Sequence, residues 1–157
     1  MSTIDAKLLE LGITLPKPAS PVANYVPTVR TGNRVVISGQ ICFGPDGKLA
    51  LEHIGHVGAE VSPEAALAAA KLAAINVIAQ LKAAIGDLDK VVRCVRLGGF
   101  IASEPAFTGQ APVMNGASDL MVAVFGDKGR HARSTIGVAA LPMGAAVEVE
   151  AMFEVEG

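Results

Sequence analysis

The sequence has no tryptophan, 4% aromatic residues and two cysteines among its 157 residues. Cys42 and Cys94 each lie in an apolar, strand-like stretch with no partner at metal or redox spacing. They read as buried free thiols, and no disulfide framework is expected. The longest apolar stretch, Ala65 to Ile85, is interrupted by Lys71, Asn76, Gln80 and Lys82, which argues against a membrane span. The N-terminus lacks a basic region followed by a continuous apolar run, so a cytoplasmic protein is expected. Neither sign of charge dominates. With a net charge of -2 there is no global field to recruit nucleic acid, and RNA cleavage would need an electropositive path. The one basic cluster, Lys128-Gly129-Arg130-His131-Ala132-Arg133, reads as a solvated loop leading into a strand.

What the chain does have is aliphatic bulk. Its residues are 51% hydrophobic and mean hydropathy is +0.46, carried by Ala, Val, Leu and Ile. The length suits a single domain over residues 1–157 with a real core. The apolar excess implies surface buried against other subunits.

Residues 1–21 read as a short helix, Thr3 to Leu11, capped by Ser2 or Thr3 and stopped by Gly12, then a connector with Pro16, Pro18 and Pro21. Tyr25 to Arg30 and Arg34 to Ser38 flank Thr31-Gly32-Asn33 as a hairpin, with Ser38-Gly39-Gln40 ending the second strand. His53 and His56 have a spacing that suits a metal, but no third ligand follows, so no metal site is expected. Ser62-Pro63-Glu64 opens the strongest helix, which Gly86 stops near Ile85. Val91 to Ile101 is a central strand whose Gly98-Gly99 pair is expected to mark a bulge. Ser103 to Gly116 reads as loop, and Ala117 to Phe125 as a second main helix. Together these give an α+β layout, with two main helices on one face of a mainly antiparallel sheet. Two helices cover one side only, so the other is expected to meet neighbouring subunits, most simply in a closed ring.

Chemistry concentrates in the last quarter, Arg133 to Val138, Leu141-Pro142 and Val147 to Phe153, which reads as two strands joined by a short turn. Alternation sends Ile136, Val138, Val147, Val149 and Phe153 inward, and groups Arg133, Thr135, Glu148 and Glu150 on the opposite face. Such a surface can hold a small anion on a guanidinium fork, beside a carboxylate that moves a proton or orients water. A solvated face of a half-covered sheet reads the same way, so alternation leaves both open.

The chain resembles the Rid/YjgF family of reactive-intermediate deaminases, also labelled endoribonuclease L-PSP. The resemblance rests on Tyr25-Val26, Ile37-Ser38-Gly39-Gln40, the Ala-rich helix before Gly86-Asp87-Leu88, Asn115, Ala132-Arg133-Ser134, Leu141-Pro142 and Val147-Glu148-Val149-Glu150-Ala151. It implies a chorismate mutase-like fold, a homotrimer whose sheets surround a central barrel, and ligand clefts between subunits. It also implies cofactor-free hydrolysis of a 2-enamino or 2-imino acid, such as 2-aminoacrylate, to a 2-oxo acid and ammonia. By that resemblance Arg133 grips the substrate carboxylate and Glu148 positions the attacking water. Tyr25, Ser38, Gly39, Asn115 and Thr135 line the cleft, and Glu150 is structural. Thr135 stands where many deaminating members have cysteine, Gly137 replaces a larger residue, and the N-terminal helix with the Gly98 to Ala117 region resembles a longer subgroup. A small-carboxylate-binding protein without turnover is the other class of reading.

Overall fold

A computed structural model describes all residues, 1–157. Helix α1 (Thr3–Glu10) starts where the Asp5 amide donates to Ser2 Oγ at 3.1 Å. Its first amides also meet a distant acid: Thr3 and Ile4 N–H both donate to the Asp89 carboxylate at 2.8 Å. The backbone then pairs Thr28–Thr31 (β1) with Arg34–Ile41 (β2) in a hairpin. Thr31 faces Arg34, so the turn is the two residues Gly32-Asn33 rather than three, and Gly32 supplies the φ of +60° it requires. The first strand begins at Thr28, not Tyr25. The second continues through Ser38-Gly39-Gln40 to Ile41, with a register shift between Ile37 and Gln40.

Helix α2 (Pro63–Ile85) has the expected ends: Ser62 Oγ accepts from the Ala65 amide, Pro63 sits in the first turn, and Gly86 closes it at φ +76°. Its length and hydropathy would suit a membrane span, but it serves as the core helix. Ala66, Ala69, Ala70, Ala73, Ala74 and Val77 are buried against the rest of the fold. The polar residues that interrupt it hold neighbouring backbone, Asn76 Nδ2 donating to Phe43 O at 2.9 Å and Gln80 Nε2 to Ala19 O at 2.8 Å. Strand β3 (Val91–Ala102) follows, then α3 (Gln110–Phe125), β4 (Ala132–Val138) and β5 (Val147–Val155). Helix α3 starts seven residues before the expected Ala117. Pro112 falls in its first turn, where a missing N–H costs nothing, so Asn115 stands on a helix and not in a loop.

The five strands lie in the order β1-β2-β5-β3-β4. The expected closing hairpin does not form: β4 pairs parallel to β3 at the sheet edge, while β5 inserts antiparallel between β2 and β3. The chain between β3 and β4 is therefore a crossover through α3, and local sequence gives no signal for that long-range choice. Gly98-Gly99 sit in regular register, and the irregularities in β3 fall at Val91/Arg93 and Cys94/Arg96. The glycines make room for side chains, since a Cβ on Gly98 would meet Glu150 and one on Gly99 would meet Met114. Helices α2 and α3 cover one face of the sheet, as expected. Cys42 and Cys94 are free and buried; burial pushes both thiols up, Cys94 to about 12.

The uncovered face is partly apolar. Val29 and Ile136 are 52% exposed and Val36 38%, with Phe100 and Met152 half-buried between them. Ile136 thus points away from the core, opposite to the expected inward set, whereas Val147, Val149 and Phe153 are fully buried.

Candidate active site

The expected site residues fall on two sides of the sheet. Glu148 pairs with Phe100 and Glu150 with Gly98, and both carboxylates lie on the open face. Arg133 pairs with Leu97 and Thr135 with Gly99, whose neighbours Met114 and the core mark the helix-covered face. The single charged face expected from alternation is therefore corrected: β4 has the opposite sidedness. Period-two alternation separates two sets of residues without saying which set faces in. Here the open face is itself apolar enough to take Ile136, and α3 supplies polar partners for Arg133.

The first half-site is a cleft of about 270 Å³ bordered by Tyr25, Gly39, Gln40, Pro142, Met143 and Glu148, together with the 19–22 connector. Glu148 lies directly over Gly39, where any side chain would displace its carboxylate. Burial, reinforced by the negative charge of Glu150, raises the Glu148 carboxyl above its ordinary range. Glu150 bonds instead to Arg96, Nη1 to Oε1 at 3.3 Å, consistent with its structural assignment. Ser38 does not border the cleft directly. Its hydroxyl donates to Val26 O at 2.8 Å and ties down the segment that carries the exposed Tyr25. Met143 at the rim has φ +58° beside Gly144 at +73°, a tight turn that delivers the chain into β5.

The second half-site, also about 270 Å³, is bordered by Asn115, Ser118, Asp119, Arg130, His131 and Arg133. Arg133 Nη1 donates to Ser118 Oγ at 3.1 Å and Nη2 to Ala111 O at 3.2 Å. Ser118 in turn contacts His131 Nε2 at 2.9 Å, and His131 Nδ1 donates to Gly129 O at 2.6 Å. Sequence reasoning missed Ser118 and folded His131 into a solvated basic loop. The helical spacing Asn115 to Ser118, three residues on one face, was the available signal once α3 was recognised. Lys128 is likewise engaged, its Nζ donating to Val91 O at 2.9 Å. Thr135 Oγ1 is buried on the Arg133 side without a hydrogen-bond partner.

Each histidine singled out for its spacing has one carboxylate nearby, Glu52 at 3.6 Å from His53 and Glu60 at 3.6 Å from His56, and neither belongs to a group of three metal-ligating side chains. His53 is buried with both ring nitrogens unpartnered, and His56 Nε2 contacts Ala139 O at 2.6 Å. A larger cavity, about 360 Å³, lies between residues 11–16 and α2, is mainly apolar and contains none of the expected site residues.

A ββαβαββ sheet backed by two helices, with a half-buried acid and a tethered arginine, defines a small α+β protein with its polar clefts at the sheet margins. Residues 5–155 match the family described as "YjgF/chorismate mutase-like, putative endoribonuclease", and the chain belongs to that family. It is 47% identical over 152 residues to Protein TCP17 of Trypanosoma cruzi, covering 96% of this chain and 93% of that one. It is also similar to the crystal structure of Atu1372, of unknown function, from Agrobacterium tumefaciens: 46% identity, 98% and 92% of the two chains, TM-score 0.90. RidA from an Antarctic Psychrobacter is more distant, at 28% identity over 88% of this chain and 94% of that one, TM-score 0.61.

Proposed function

We propose that the protein is a cofactor-free hydrolytic deaminase of reactive 2-enamino and 2-imino acids, acting at clefts between the subunits of a homotrimer. The observation that carries the reading is the split of its machinery across the sheet. An arginine with donors to spare faces α3, and a half-buried carboxyl with a raised pKa lies in a cleft on the other face. One small substrate can touch both only if they come from different copies of the chain. The partly apolar open face gives those copies a reason to associate.

In this mechanism Arg133 binds the substrate carboxylate through a guanidinium fork. The enamine tautomerises to the imine, whose C2 is already electrophilic. Glu148 orients water against C2 and takes one of its protons as the C–O bond forms and the C=N electron pair moves to nitrogen. Glu148 returns that proton to nitrogen, and the hydroxyl proton follows as the C–N bond breaks and the C=O bond forms, so both water protons leave with ammonia and the oxygen stays in the 2-oxo acid. Tyr25, Gly39, Asn115 and Thr135 shape the pocket, and Ser38 fixes the Tyr25 segment. So activated a substrate asks mainly for orientation and for the shuttling of the protons of water to nitrogen.

The test supplies enzymatically generated 2-aminoacrylate and follows ammonia and 2-oxo acid. Accelerated release that disappears in Arg133→Ala is the expected result. Undiminished turnover in that variant overturns the assignment. Carboxylate binding without turnover in the wild type favours a binding protein instead.

A further inference from the structure

We infer that Ser118 and His131 are positioning residues that fix the Arg133 guanidinium for its grip on a carboxylate. The inference deepens the reading above and rests on it for the role of Arg133.

The direction of each hydrogen bond follows from donor and acceptor chemistry. The Gly129 carbonyl only accepts, so His131 Nδ1 carries a proton. In the neutral ring Nε2 is then the acceptor, and the Ser118 hydroxyl donates to it. With its proton so committed, Ser118 Oγ is left to accept from Arg133 Nη1. The Ala111 carbonyl takes a second N–H from Nη2. Two points of attachment hold the plane of the guanidinium, and its remaining N–H groups stay available for a ligand.

The other charged groups bordering this cleft are Asp119 of α3 and Arg130 just before β4. Arg130 is paired with Asp127, Nε to Oδ1 at 3.3 Å.

Pyruvate, a stable 2-oxo acid, is the probe. Its binding is measured by calorimetry in the wild type and in Arg133→Ala, Ser118→Ala, Ser118→Thr and His131→Asn. Nitrogen-15 NMR of the imidazole reads the tautomer directly, without any ligand. The expected ring is protonated at Nδ1. Ser118→Ala should weaken binding by roughly tenfold, Ser118→Thr should retain it, and His131→Asn should also weaken it. If Arg133→Ala binds pyruvate like the wild type, the carboxylate role of Arg133 fails. If Arg133→Ala loses binding while Ser118→Ala and His131→Asn match the wild type, the positioning role fails and that reading stands. A ring protonated at Nε2 alone also overturns the inference.

Discussion

In the proposed reaction Arg133 and Glu148 stand in opposite electrostatic situations. The guanidinium is a permanent charge with two protein acceptors, and its planar fork gives the geometry that a carboxylate matches. Arg133→Ala is expected to lower kcat/KM for 2-aminoacrylate by at least about a hundredfold, and Arg133→Lys not to restore it, in an ammonia-release assay. Glu148 is ionised only against burial and the neighbouring Glu150 charge, so its folded pKa lies above the unfolded value. Its ionisation therefore destabilises the fold above that raised pKa, and the cost disappears as pH falls. Glu148→Gln is expected to abolish turnover while raising stability at neutral pH. In denaturant unfolding, the advantage over wild type should shrink on acidification. At this scale the residue types were legible from the sequence, but their arrangement was not. The charged alternation of β5 was read correctly because its other face is wholly core. In β4 the inward set is Arg133 and Thr135, which no hydrophobicity rule selects, since for Arg133 it depends on acceptors from α3, Ser118 Oγ and Ala111 O.

Elements are held by close approaches as much as by side-chain bulk. A Cβ on Gly116 would collide with the Leu67 carbonyl, so α3 and α2 touch backbone to backbone at that point. Gly116→Ala is expected to cost about 1–3 kcal/mol and lower Tm by several degrees in thermal unfolding. Gly98→Ala meets only the flexible Glu150 side chain, and should cost less while loosening the Glu150–Arg96 pair. Helices α1 and α2 were legible because caps are local: Ser2, Ser62 and Gly86 act within four residues of their own helix. The start of α3 was not, because Pro112 reads as a breaker unless it is known to lie in the first turn. Strand pairing was least accessible. The stretch between β4 and β5 looks like a hairpin turn, and only the competition of β3 for both strands excludes it.

At the scale of the molecule, a sheet with one covered face leaves Val29, Val36 and Ile136 facing outward. The excess of aliphatic residues anticipated such a surface, although composition could not say which strands bear it. If that face joins three copies, Ile136→Lys should dissociate the assembly into folded monomers in sedimentation velocity, and turnover should fall with it. A wild type that sediments as a monomer at micromolar concentration would instead remove the inter-subunit site. The strand order also bears on how the protein is made. β5 follows every other strand in the chain, yet it lies between β2 and β3 and completes the connection between the two halves of the sheet. While the chain is still on the ribosome, the β1–β2 hairpin and the β3–α3–β4 crossover have no common centre to close upon. Their exposed strand edges must be tolerated or chaperoned until the last strand emerges.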